Sequence, residues 1–201
     1  MIVTLGRQCG CAGDEVGKKL SELLGIPFYT KPELIALAKE KKIYEKYPMY
    51  FGEQPVNAMI SSVADDFCPK NQYDTPKRAL SAMFGGQSFI IIGRASNYAY
   101  RDDKDAVRVF LCGDKKQRAY HIAGKHKISE RKAIALVEKT DEKRRGYHRY
   151  YTGEEWGYAE NYDLCIDAVR LGVDKTAELI ADYVKPVSYT HLRAHETGRN
   201  L

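Results

Sequence analysis

Three groups of residues in this 201-residue chain have the types and spacing to handle an anion. Gly6, Gly10 and Gly13 punctuate a loop behind the β-prone run Ile2, Val3 and Leu5, and Arg7 is the one cation within that loop. Val16, Leu20, Leu23 and Leu24 then recur at helical spacing, so the stretch reads strand, glycine loop, helix. In such a unit the loop N–H groups and the positive end of the helix dipole point at one place, which suits a phosphate. Arg94 directly follows the apolar run Ser88 to Gly93, and its planar fork of donors suits bidentate recognition of a phosphate or carboxylate. Lys143, Arg144 and Arg145 close a polar helical pattern ahead of Tyr147, Tyr150 and Tyr151. Cations that close over developing charge and exclude water are what phosphoryl transfer requires.

Each group also has a plainer reading. The phosphate loop G-x-x-x-x-G-K-[ST] ends in a lysine and a hydroxyl, and in that register this chain has Gly13 and Asp14. Asp14 is itself a candidate helix N-cap, and a capping carboxylate would occupy the N–H groups a phosphate wants. Arg94 also fits a solvated strand end. Lys143 to Arg145 also fit a helix C-terminus whose cations complement its dipole. The stretch Lys139 to Tyr151, basic with interleaved aromatics, fits a nucleic-acid surface.

The elements that must position these residues alternate. Ile26 to Tyr29 suits a second strand, and Thr30 a cap for a helix carrying Leu34, Ile35, Leu37 and Ala38. Ser88 to Gly93 is a continuous apolar run, the pattern of a strand buried on both faces. Val107 to Cys112 is another strand, and Asp114 opens a helix through His121. A long polar helix is predicted over Ser129 to Arg145 with Ile134, Leu136 and Val137 inward, then a strand over Tyr162 to Asp167 and a helix over Asp174 to Tyr183. Between them Tyr44 to Phe84, broken by Pro48, Pro55, Pro69 and Pro76, reads as a helical insertion with helices over Val56 to Phe67 and Thr75 to Phe84, the latter capped by Thr75. Strands alternating with helices give a parallel sheet covered on both faces, with ligands outside the carboxyl ends of the strands. The glycine loop, Gly93-Arg94 and the segment after Cys112 should therefore converge on one cleft.

Composition sets the outer bounds. With 44% hydrophobic and 29% charged residues, the chain is expected to form one domain with a mobile lid. No apolar run approaches the ~20 residues of a membrane helix and no signal-type segment opens the chain, so a cytoplasmic protein is expected. Five scattered cysteines read as free thiols, and Cys9-Gly10-Cys11 has no second pair to complete a zinc site. A net charge of +5 is mild for a nucleic-acid partner. Val187 to Leu201 lacks apolar periodicity and resembles a translated sequencing-library adapter, so it is set aside from the fold.

Over nearly all of Ile2 to Tyr183 the chain resembles the cytidylate kinase-like family, a branch of the P-loop nucleoside monophosphate kinases. The resemblance is carried by VTLGRQCGCAGDEVGKKLSELLGIPFYTKPEL, by Ile91-Ile-Gly-Arg94, by VRVFLCGDKKQRA and by the closing YYTGEEW and NYDLCID, in that order. It implies a three-layer α/β P-loop kinase-like core of about five parallel strands, a helical monophosphate-binding insertion at about 44–84 and a lid at about 123–160. The implied reaction is transfer of the ATP γ-phosphoryl group to CMP or dCMP with Mg2+. By position, Gly10, Cys11, Ala12, Gly13, Asp14 and Glu15 would cradle the donor phosphates. Arg94 would hold the acceptor phosphate, and Arg118, Arg144 and Arg145 would clamp the transferring group. True cytidylate kinases carry lysine and serine where this chain has Gly13 and Asp14, and aspartate where it has Ala95. Arg7 is therefore expected to supply the missing cation, and Asp14 or a nearby carboxylate to hold the metal. A non-catalytic nucleotide sensor and a kinase of another small acceptor are the alternatives.

Overall fold

The computed structural model describes residues 1–52 and 72–197, from 186 onward as backbone. The chain opens with β1 (Ile2–Arg7), α1 (Gly13–Leu24), β2 (Phe28–Tyr29) and α2 (Lys31–Glu40). A short α3 (Pro48–Phe51) and α4 (Thr75–Phe84) precede β3 (Phe89–Ile92), α5 (Ser96–Ala99) and β4 (Ala106–Cys112). Then come α6 (Lys115–His126), α7 (Glu130–Thr152), β5 (Leu164–Asp167) and α8 (Ala168–Thr197), which kinks at Gly172.

The five strands form one parallel sheet in the order β2-β3-β1-β4-β5. Leu5 stands opposite Ile92 and Arg7 opposite Leu111, so β1, β3 and β4 end side by side. Strand alternation divides the core between two faces. Phe89 and Ile91 pack with Leu34, Leu80 and Met83 and with the aromatic rings of Tyr50, Phe51 and Tyr151. Ile90 and Ile92, with Val3 and Leu5, pack on Val16 and Leu20 of α1 and on Ala177, Ile180 and Val184 of α8. Helices thus cover both faces, which is why β3 reads as an unbroken apolar run.

Several element boundaries differ from the sequence expectation. The N-cap of α1 is Ala12, at φ 49°, so Asp14 sits inside the first turn and is not a cap. Asp74 rather than Thr75 occupies the cap position of α4. Asp114 caps α6 as expected, accepting from the Lys116 and Gln117 N–H groups at 3.0 Å. The largest difference is in α7, which runs through Gly146 to Thr152. Lys143 to Arg145 therefore lie within a helix, not at its end, and the tyrosines belong to the same helix. The expected helix over Val56 to Phe67 lies outside the described residues. The last helix is longer than expected, its backbone continuing to Thr197. No described helix is long and apolar enough to cross a membrane.

A third apolar cluster joins the glycine loop to the α6–α7 hairpin through Cys9, Ala119, Ile122, Ala133 and Val137. A buried ion pair crosses it. Arg118 Nη1 lies 2.7 Å from the Asp141 carboxylate and also donates to the Cys9 carbonyl at 2.8 Å, while Nε donates to the Gly113 carbonyl. Asp141 in turn accepts from the Cys9 N–H at 2.7 Å. Truncating one partner leaves the other charged, buried and unpaired, a loss of about 3–5 kcal/mol. Asp141→Ala should lower stability to urea by that amount, and Asp141→Ala combined with Arg118→Met should recover part of it. Equal losses in the single and double variants would show that no ion pair operates here.

Candidate active site

The carboxyl ends of β1 and β3 and the inner face of α7 enclose a cleft with about 380 Å3 of empty space, its open mouth included. Gly6 and Arg7 enter from β1, Gly93 and Arg94 from the end of β3, and Arg144 and Tyr147 from α7. Three guanidinium groups thus share one cleft, with no carboxylate among its described lining residues.

Arg7 is threaded between two glycines. A Cβ on Gly13 would lie 2.9 Å from Arg7 Cγ, and one on Gly93 would lie 2.5 Å from Arg7 Nη1, so the arginine needs both positions bare. Burial, repulsion from Arg144 and then repulsion from Arg94 pull Arg7 down from the ordinary arginine range to about 9, against an opposing pull from Asp14. It remains charged at neutral pH, and an anion in the cleft would relieve its environment.

Arg94 is held by backbone strain and by tyrosines. Gly93, Arg94 and Ala95 have φ of 76°, 59° and 50°, a left-handed run that includes two residues with side chains. Such conformations persist only where surrounding contacts over-determine them. The Tyr50 hydroxyl donates to the Arg94 carbonyl at 2.7 Å, and Arg94 Nη1 donates back to the Tyr50 carbonyl at 2.6 Å. Tyr147 donates to that same carbonyl, and its ring lies under the guanidinium at 5.2 Å. Arg144 Nη1 donates to the Arg7 carbonyl at 3.0 Å, which ties α7 to the end of β1.

The other predicted residues are placed differently. Arg145, one position round the helix, is exposed and pairs with Glu142. Arg118 is buried in the ion pair with Asp141 and does not line the cleft. Arg118 braces the loop through Gly113, Cys9 and Asp141, and Arg145 faces solvent. Gly10 is required by that bracing, because at φ 91° a Cβ would lie 2.6 Å from the Arg118 carbonyl oxygen. Cys11 and Gly13 are buried and Ala12 half-buried, while Asp14 and Glu15 are exposed at the start of α1. Ala12 has no side-chain acceptor, so it leaves the first turn of α1 without a side-chain cap. Glu15 pairs with Lys125 of α6 at 2.7 Å, and that hydrogen bond holds its carboxyl below the usual range. Among the described residues no cluster of three His, Cys, Asp or Glu side chains could enclose a metal. A single exposed carboxylate, Asp14, does fit a Mg2+ ion that takes most of its remaining ligands from phosphates and water. The aromatics expected to face nucleic acid pack inward instead, Tyr147 on Arg94 and Tyr151 on Tyr50.

Sequence reasoning missed Asn97, His148, Trp156 and Tyr162, which also line the cleft. Trp156 and Tyr162 pack on Phe110 with ring centroids 5.3 and 5.0 Å away. The signal for His148 was its place on one face of α7 with Asp141, Arg144 and Tyr151, a spacing that continues through Gly146.

A parallel sheet, a glycine loop before α1 and an arginine-lined cleft at the strand ends define a P-loop kinase-like protein. The chain belongs to the cytidylate kinase-like family, which it matches over residues 2–169. Among solved structures it resembles an uncharacterized protein from Eubacterium ventriosum ATCC 27560, at 28% identity, with a TM-score of 0.69, over 92% of this chain and 98% of that one. A gluconokinase from Sinorhizobium meliloti 1021 shares the fold at 16% identity and a TM-score of 0.52, over 94% of this chain and 95% of that one. Comparison with curated proteins gives no match.

Burial lowers the His148 imidazole to about 4, against about 6.5 in an unfolded chain. Between those values the unfolded state binds a proton that the folded state refuses, so stability falls as pH drops through the window. The full difference is on the order of 3 kcal/mol. Urea unfolding at pH 7 and pH 4.5 should show a loss smaller by about 2 kcal/mol in His148→Gln than in wild type. Equal losses would assign the decline to other groups.

Proposed function

We propose that this protein is a nucleotide kinase of the cytidylate type, moving the γ-phosphoryl group of ATP onto CMP or dCMP in the presence of Mg2+. The observation that carries this reading is the convergence of Arg7, Arg94 and Arg144 on one cleft, beside a glycine loop that has no lysine of its own. The loop Gly10 to Glu15 and the N-terminus of α1 receive the donor phosphates. Arg94, fixed by Tyr50 and Tyr147, holds the acceptor phosphate. Arg7 and Arg144 face the transferring group, where cationic donors stabilise charge spread over its equatorial oxygens. An acceptor phosphate oxygen forms the new bond to the γ-phosphorus as the bond to the β-phosphate oxygen breaks, and ADP leaves. Asp14 would hold Mg2+, which when bound neutralises charge on the donor phosphates. Membership of the cytidylate kinase-like family supports a kinase-type function, while CMP and dCMP are this proposal's own choice of acceptor.

A second reading has one observation in its favour. Gly13 and Asp14 stand where an active loop carries lysine and a hydroxyl, and a carboxylate there repels phosphate. A protein with these two residues and an intact arginine cleft fits a sensor that binds nucleotide without turnover.

ADP release with ATP and Mg2+, offered CMP, dCMP, UMP and AMP, separates the two. The kinase reading expects turnover with CMP or dCMP that drops about 100-fold or more in Arg94→Ala and in Arg144→Ala, with a far smaller loss in Arg145→Ala. Full turnover in Arg7→Ala would remove that arginine from the mechanism. ATP binding without ADP release from any acceptor would establish the sensor.

A further inference from the structure

The modest net charge of the chain hides a concentration of it on the α6–α7 hairpin. Between Lys115 and Val137 the sequence holds a single carboxylate, Glu130, against the buried Arg118 and six further cations, Lys115, Lys116, Lys125, Lys127, Arg131 and Lys132. All six are exposed. Lys115 pairs with Glu138 and Lys125 with Glu15. Lys116, Lys127, Arg131 and Lys132 have no ion pair among the described residues. Like charges gathered on one hairpin repel one another and work against the compact state, a cost that an anionic partner removes.

The positions of these cations add to the cost. Lys116 stands in the first turn of α6, and Arg131 and Lys132 stand in the first turn of α7. The positive end of a helix dipole disfavours cations there. Lys127 is the C-cap of α6, at the tip of the hairpin. Ala119 and Ile122 turn the inner face of α6 into the cluster with Cys9, Ala133 and Val137. One turn beyond Lys116, on the outer face, stands Tyr120. It is 77% exposed, more than any other large hydrophobic side chain among the described residues. Apart from the adjacent His121, its ring centroid 6.4 Å away, no described aromatic ring packs on it. A large aromatic ring left bare between cations is a surface with a use for its face.

We propose that the outer face and tip of the α6–α7 hairpin bind single-stranded RNA, with backbone phosphates on Lys116, Lys127, Arg131 and Lys132 and a base stacked on Tyr120. Cations that track a backbone, with an aromatic ring between them, are the means by which proteins hold single strands. Lys116 and Lys127 are separated by about 16 Å of helix, which fits successive phosphates of a chain and exceeds the phosphate of one nucleotide. Bases free to stack on a side chain are the ordinary state of RNA loops and ends. A membrane surface would need several apolar side chains beside the cations, and the outer face of α6 presents one large hydrophobic side chain, Tyr120. None of these residues lines the arginine cleft. The surface therefore stands whether or not the cleft turns over nucleotide.

Fluorescence anisotropy of the full chain with a labelled oligouridine of about twelve nucleotides tests the surface. Four phosphate contacts predict an affinity that falls about 50-fold between about 50 and 200 mM NaCl. Tyr120→Ala should weaken binding about tenfold with its melting temperature unchanged, since the side chain is exposed. Lys116→Gln combined with Lys132→Gln should cut the logarithmic salt slope by about half. A folded Arg144→Ala variant, altered in the cleft and not on the hairpin surface, should bind the oligouridine as wild type does. No binding at the lower salt concentration, equal affinity for a fully paired RNA duplex, or undiminished binding by Tyr120→Ala would each overturn the proposal. So would a loss of binding in Arg144→Ala, which would put the RNA in the cleft, or displacement of the oligouridine by phosphatidylserine vesicles, which would make the face a membrane surface.

Discussion

The ion pair between Arg118 and Asp141 holds the two halves of the site together. It satisfies both backbone polar groups of Cys9, the N–H through Asp141 and the carbonyl through Arg118, in the middle of the glycine loop. It reaches the end of β4 as well, through the Gly113 carbonyl. Three positions beyond Asp141 on the same helix stands Arg144, and Tyr147 and His148 follow on that face. The pair therefore sets where the loop lies and where the inner face of α7 stands relative to it. Desolvating two charges is expensive, and such a pair is better explained by the geometry it fixes than by net stability.

With that frame in place, the cleft concentrates costs that ordinary folding would remove. Two consecutive residues with side chains, Arg94 and Ala95, adopt left-handed backbone. Three guanidinium groups stand together with no carboxylate among the described lining residues, and three buried polar atoms have no partner there. Strain, like-charge repulsion and unpaired polar groups are each destabilising, and an anion between the guanidinium groups would relieve the repulsion. Donors fixed before the ligand arrives need no reorganisation during reaction, which is how preorganised charge contributes to catalysis.

The sheet was legible because its strands are buried on both faces, so Phe89 to Ile92 and Val107 to Cys112 stand out as apolar runs. The convergence of the glycine loop and Arg94 followed from the rule that ligands gather at the carboxyl ends of parallel strands. The inner face of α7 was not legible. Asp141, Arg144 and His148 occupy positions where hydrophobic periodicity looks for apolar residues, and Gly146 reads as a stop. The burial of Arg118 was not legible either, because it depends on Asp141, which is distant in sequence and meets it through the α6–α7 hairpin. Asn97 and Tyr162 gave no local signal, since an unpaired polar atom is a property of the assembled cavity rather than of a motif.

The central claim is that one cleft serves donor and acceptor phosphates together. Calorimetric binding of a bisubstrate compound, adenosine and cytidine joined through their 5′ positions by five phosphates, tests it most directly. The account predicts binding tighter than ATP or CMP alone by two orders of magnitude or more, as linked ligands allow when both sites are engaged at once. It further predicts that Arg144→Ala removes most of that gain. A bisubstrate that binds no more tightly than ATP would contradict it.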